Sequence, residues 1–159
     1  MEFEFDVKMT SSALYDYNMH HAYTGPSGIM GTAVGAMLII LYAAYSNIYY
    51  LIAGIILILY IPVELYIKST KQVKLNPMFR NPIHYILSDE GIKIAQGDQE
   101  VDIEWDMITK AQSTNQSLIL NTGRNSAIVF PKKDLGEKRY DVIEIISVHV
   151  SPDKVKIKQ

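Results

Sequence analysis

The chain has 159 residues, a formal net charge of −2 and no cysteine. That length fits one domain of ordinary size. The charge excludes a general nucleic-acid binder, which carries a strong basic excess, and the missing thiol excludes a disulfide framework, a thiolate nucleophile and a cysteine-held metal.

Residues 2–9 read EFEFDVKM, so Phe3, Phe5, Val7 and Met9 alternate with Glu2, Glu4, Asp6 and Lys8. Period two is the pattern of a half-buried strand. A lone strand is unstable in water, so the sequence predicts that it crosses back to join a sheet made later in the chain. Thr10, Ser11 or Ser12 can cap a helix over 13–22, in which Leu14, Tyr17 and His21 recur at spacings of three and four. A short amphipathic helix lying at a membrane interface suits this segment. His20 and His21 are adjacent, point about 100° apart on a helix and cannot face one metal together. The stretch Gly25-Pro26-Ser27-Gly28 then turns the chain. An acidic start and a late apolar run argue against a secretory signal.

Residues 28–67 form an apolar tract interrupted by Ser46-Asn47, with Glu64 its single formal charge. Two transmembrane helices, 28–45 and 48–67, are predicted, because each run covers roughly the 30 Å hydrocarbon core at a rise of about 1.5 Å per residue. The runs are uniformly apolar and do not alternate, which selects helix over barrel strand. Lys68, Lys71, Lys74 and Arg80 follow the second span while the turn is uncharged. The positive-inside rule therefore places both termini in the cytoplasm and the protein in the plasma membrane as a multi-pass chain. Tyr42, Tyr45, Tyr49 and Tyr50 flank the turn, with Tyr23 and Tyr66 near the inner face, as interfacial anchors do. Gly31 and Gly35 make a GxxxG step. It can pack the first span on the second near Ala53, Gly54 or Pro62, or it can support a homo-oligomer. Glu64 precedes Lys68 by four residues, so an ion pair along the helix or snorkelling to water accounts for it.

Lys68 to Pro82 reads as a basic exit segment. Beyond it, the runs PIHYIL, IKIA, VDIEW, ITKAQST, SLILN and SAIVF alternate with turn signals, including Gln96-Gly97-Asp98 and Thr122-Gly123-Arg124-Asn125. Short strands at this spacing predict an antiparallel meander. From Asp134 or Leu135 to about Val150 the period changes to helical, with Val142, Ile143, Ile146 and Val150 near one face, and Ser151-Pro152 ends it. The division is thus 1–27 for strand and short helix, 28–67 for the hairpin, 76–151 for a cytoplasmic domain and 152–159 for a basic tail that is loose or adds an edge strand.

Several segments carry a family likeness: NPMFRNPIHYILSDEGI (76–92), IEWDMI (103–108) and VFPKKDL (129–135), set after a strand, a short helix and a two-span hairpin. In this order they resemble the YcxB-like family of small bacterial membrane proteins, and the likeness runs over nearly the whole chain. Seven strands and a capping helix are also the element count of a pleckstrin-homology-like barrel. The expected fold is therefore a membrane α+β chain. A transmembrane helical hairpin carries a small antiparallel pleckstrin-homology-like barrel or sheet, capped by a C-terminal helix and joined by the N-terminal strand. The resemblance implies that architecture and no biochemical activity, so it assigns no catalytic or ligand residue.

Three groups of residues are candidates for contact. Glu100, Asp102, Glu104 and Asp106 alternate along one strand and its turn, and such a row can meet a divalent cation or a basic partner. The plainer reading is the wet side of a strand whose other side is Val101, Ile103 and Trp105; side chains two apart lie roughly 6–7 Å from each other, which is loose for a metal cage. Lys132, Lys133, Lys138 and Arg139, with Lys68, Lys71 and Lys74, can face a protein partner or anionic lipid; solvated surface is again the plainer reading. Gly31, Gly35 and Gly54 are candidates for helix packing. Trp105 fits the core, its indole N–H finding a nearby acceptor. His84 and His149 are isolated in apolar patterns, and no phosphate-cradling glycine loop, HExxH or GxSxG occurs.

The sequence therefore points away from an enzyme and from any cofactor or metal. It predicts a membrane-anchored module that presents a cytoplasmic pleckstrin-homology-like domain to a protein partner, with immunity or self-protection as one concrete version. Anionic-lipid binding at the inner membrane face is the first alternative. A place as accessory subunit of a transporter or sensor complex is the second.

Overall fold

The computed structural model of the protein describes residues 2–97, 99–123 and 126–157; the turn expectations at Asp98 and at Arg124-Asn125 lie outside the described residues. Strand β1 (Phe3–Val7) is followed by helices α1 (Ser11–Thr24), α2 (Pro26–Tyr45) and α3 (Ile48–Leu75). Six strands come next: β2 (Ile83–Leu87), β3 (Ile92–Gln96), β4 (Gln99–Ile103), β5 (Lys110–Ser113), β6 (Ser117–Asn121) and β7 (Ala127–Pro131). Helices α4 (Lys132–Leu135) and α5 (Arg139–His149) and the short strand β8 (Val155–Lys156) close the chain.

Helices α2 and α3 are long and apolar enough to cross a membrane, and only 11% and 6% of their apolar windows are buried. The turn between them is set locally. Ser46 takes the left-handed conformation at φ 54°, and Asn47 caps α3 by accepting the Tyr49 N–H at 3.0 Å. The two helices touch most closely at glycines. A Cβ on Gly35 would meet Ile58 Cγ1 at 2.7 Å and the Gly54 carbonyl at 2.9 Å, and one on Gly54 would meet the Gly35 carbonyl at 2.7 Å. A Cβ on Gly31 would meet Ile61 at 3.2 Å. Small residues are what let two backbones approach this far.

One boundary differs from expectation. Helix α3 does not stop at residue 67 but runs on to Leu75, a total of 28 residues and about 42 Å. Lys68, Lys71 and Lys74 are compatible with helix on its exposed side, while Ser69 is fully buried beneath α1. Asn76 ends the helix in extended conformation, the region favoured for a residue before a proline.

The strands form two four-stranded sheets. The first has the order β1-β2-β3-β4 and is antiparallel throughout; the second has the order β7-β6-β5-β8, with β8 parallel to β5. The N-terminal strand joins as the alternation predicts, Phe3 opposite Leu87 and Val7 opposite Ile83. The tail supplies an edge strand. The inner faces and α5 share one core, in which the ring of Phe130 meets Phe5 and Tyr85 edge-on at centroid distances of 5.2 and 5.0 Å. Val142 and Ile146 of α5 complete it. The predicted C-terminal helix is divided, because Gly136 at φ 53° breaks α4 from the following turn and α5.

Helix α1 joins the two halves. Thr10 caps it by accepting the Ala13 N–H at 3.2 Å. On one side Met9, Ala13 and Leu14 pack on Val129 of β7, with Tyr17, Val73 and Phe79 around them. On the other side Asn18 Nδ2 donates to Ser69 Oγ at 2.9 Å, and Tyr15 meets Tyr66 edge-on. Ser12 donates to Gln116 at 2.9 Å and Thr114 donates to Asp16, tying α1 to the β5–β6 turn as well.

Candidate functional site

An apolar groove of about 400 Å³ opens where the hairpin meets the sheets. Its floor is the inner face of the first sheet, through Tyr85, Ile94 and Val101; β7 forms one wall, and Tyr17, Gln72 and Phe79 close the side toward the helices. Its polar contributors are mainly amides, Gln72, Gln96 and Gln99, and among the described residues no cationic side chain lines it. Gln96 is held in place by donating to the carbonyls of Met78 and Asn81. Burial pushes the Tyr85 phenol up to about 12 and raises Tyr17 as well, so both hydroxyls are neutral donors at the groove.

This geometry corrects one sequence expectation. Val101 is not core but 54% exposed. Period two identifies the inner face correctly, yet β4 is the last strand of its sheet, and among the described residues no further strand pairs with it to cover Val101. Ile103 is half-buried, and Trp105 is buried as expected, its indole N–H donating to the Ser88 carbonyl at 3.0 Å and its ring stacked on His149 at 5.1 Å.

Glu100, Asp102 and Glu104 are exposed along β4 and just beyond, with Asp106 exposed in the turn that follows. Asp102 lies opposite Lys93, with Nζ to Oδ1 at 4.0 Å, and Glu100 lies opposite Ala95. No group of three His, Asp or Glu side chains able to hold a metal gathers among the described residues.

The basic candidates divide. Lys132 Nζ donates to the Thr114 carbonyl and Lys138 Nζ to the Glu4 carbonyl at 2.8 Å, so both serve the fold. Burial lowers the Lys132 ammonium, Arg139 adds to that shift and Asp16 opposes it. Arg139 lies over the ring of Tyr140 at 5.8 Å, and Lys133 is exposed. Lys68 and Lys71 are exposed on α3 and share a shallow face with Glu64, Ile67, Gln72 and Leu75. Among the described residues no ion pair joins Glu64 to Lys68. Sequence patterning does not reach the His84 cluster, in which Nδ1 lies 2.8 Å from Asp6 and Nε2 3.8 Å from Glu4. The pairing of Asp6 with His84 depends on a strand register spanning the whole hairpin.

No curated protein and no solved structure matches the chain. Residues 87–143 match the model of a family described as YcxB-like protein. That stretch runs from the last residue of β2 into α5 and includes Trp105, the β4 edge and the Lys132-Lys133 step. The likeness carried by the tryptophan turn and the VFPKKDL step is met over this segment; the part of the expected likeness that lies in the hairpin and before residue 87 falls outside the match.

Proposed function

We propose that the protein is a non-enzymatic, membrane-anchored module whose β domain binds another protein at the inner face of the plasma membrane, both termini being cytoplasmic. The observation that carries this reading is the contrast in cover. The apolar windows of α2 and α3 are almost wholly unburied, while the attached domain has a complete core. Apolar helices left bare by their own protein find cover in hydrocarbon. The eight residues of α3 beyond position 67 then stand roughly 12 Å clear of the hydrocarbon edge, and α1 braces the domain against them. Two sheets, one of four strands and one built on three antiparallel strands, closed by a terminal helix, support a pleckstrin-homology-like reading of the domain.

The test is made in native membranes. A carboxyl-terminal tag is expected to resist protease in intact cells and to be cut after permeabilisation, and chemical crosslinking is expected to return one stoichiometric protein partner. A full-length chain that stays soluble without detergent overturns the anchor, and crosslinking that returns no partner overturns the protein-binding role. Anionic-lipid contact is the second reading, favoured by Lys68, Lys71 and Lys74 on the part of α3 nearest the headgroups. It predicts that a fluorescent anionic lipid crosslinks to α3 and that a neutral one does not.

A further inference from the structure

We propose that the bare edge of β4 is a docking strip for an extended segment of a partner protein in which basic and apolar residues alternate. This rests on the protein-binding reading above and names its surface and the chemistry of its partner. The other long strands at or near the sheet edges already have neighbours, and β8, the remaining edge strand, is only two residues long. At β1, Asp134 accepts the Lys8 N–H at 3.2 Å just past the strand and Lys138 donates to the Glu4 carbonyl. At β5 the edge is taken by β8, and β7 is flanked by α1. Among the described residues β4 pairs with β3 alone. An exposed strand edge is a template for main-chain pairing.

Side-chain rows across the sheet specify what fits. One inner row runs Phe5, Tyr85, Ile94, Val101 in register. Exposure along it is 7%, 5%, partial and then 54%, the profile of a row lacking its next member. An apolar side chain on an added strand, opposite Val101, completes the row and enters the groove. On the outer face the rows end at Asp102, beside Lys93, and at Glu100, beside Ala95. The next residues outward meet carboxylates, so lysine or arginine fits there. The chain's own tail has this chemistry: Lys154, Val155, Lys156 and Ile157 alternate, and this is the segment that occupies the β5 edge.

The same charges discriminate against other occupants. Two β4 edges paired to each other would set Glu100 and Asp102 of both copies side by side, which is repulsive. An anionic lipid finds no cation in the groove lining among the described residues and a row of carboxylates at its rim.

The test uses the full-length protein in detergent micelles and a dye-labelled synthetic peptide alternating lysine with valine. Fluorescence anisotropy is expected to show saturable binding, and amide hydrogen exchange is expected to slow across 99–103. A peptide of the same composition with lysines and valines in separate blocks, and one alternating glutamate with valine, are expected not to bind. The double variant Glu100→Lys, Asp102→Lys is expected to weaken binding roughly tenfold, and Val101→Ser to weaken it as well, with the Trp105 fluorescence of both variants unchanged as evidence of an intact fold. Equal binding of the block peptide, unchanged exchange at 99–103, or displacement of the peptide by a fatty acid without sensitivity to the charge reversal overturns the docking strip. If crosslinking in membranes still returns one partner, the protein-binding reading survives that failure; if it returns none, both fall.

Discussion

The hairpin and the β domain are both rich in aliphatic residues, yet they dispose of them in opposite ways. In the domain, Val7, Leu87, Ile108, Leu118 and Phe130 have no exposed surface; in the hairpin, Ile29, Met30, Val34, Met37 and Ile40 are all more than half exposed. The closest contacts differ accordingly. The domain locks together through aromatic edges around Phe130, whereas the helices meet where Gly35 faces Gly54. Packing that must expel water rewards large apolar area. On the proposed anchoring, packing between helices solvated by lipid would gain little from area and depend on close backbone approach.

The comparison can be broken most forcefully at Phe130. Phe130→Ala is expected to cost the domain about 3–5 kcal/mol, read as an earlier denaturant midpoint of Trp105 fluorescence, while helicity of the hairpin in detergent persists. Loss of both signals together would show that the two regions fold as one unit. Next in size is an alkaline effect at Tyr85. Its phenol is raised from 10.0 to about 12 by burial, so the folded state holds its proton more tightly than the unfolded chain. Its contribution is whole below pH 10 and is lost as pH rises through about 12, a change of roughly 2–3 kcal/mol. Denaturant midpoints measured across that window should fall, and Tyr85→Phe should flatten the fall. The smallest effect belongs to the hairpin. Gly35→Leu inserts side-chain atoms where 2.7 Å separates the Cβ position from Ile58 Cγ1, and is expected to strain the helix pair by about 1–3 kcal/mol. Spin labels at Met30 and Val63, both exposed, should move apart while the domain's midpoint stays put.

The same contrast decides what the sequence discloses. The turn at Ser46-Asn47 is legible because it interrupts an apolar run with a capping residue, and the structure places the helix ends at Tyr45 and Ile48. The strands are legible from alternation and turn residues. The continuation of α3 to Leu75 is not, because lysines at 68, 71 and 74 look like a boundary until Ser69 and Val73 are seen beneath α1. Val101 is misplaced for a related reason. Alternation tells which face a residue occupies, whereas its burial depends on whether another strand lies alongside, and strand order is a property of the whole fold. The break at Gly136 was open to a local reading, since glycine there takes positive φ between two helical runs. For the candidate site, the acidic row on β4 is visible in the sequence, but its standing at a bare edge beside an apolar groove is not.

The pairing of β1 with β2 has a consequence for biogenesis. Phe3 and Leu87 are partners, yet both apolar helices lie between them in the chain. During translation the first strand leaves the ribosome early and must wait, unpaired, until the hairpin and the segment after it have emerged. Closing so long a loop is entropically costly and slow, and the wait ends only once the intervening helices have found their own solvent. On the proposed membrane anchoring, completion of the first sheet would report that insertion has succeeded, and a chain whose helices stall would expose a free β2 edge for proteases to find.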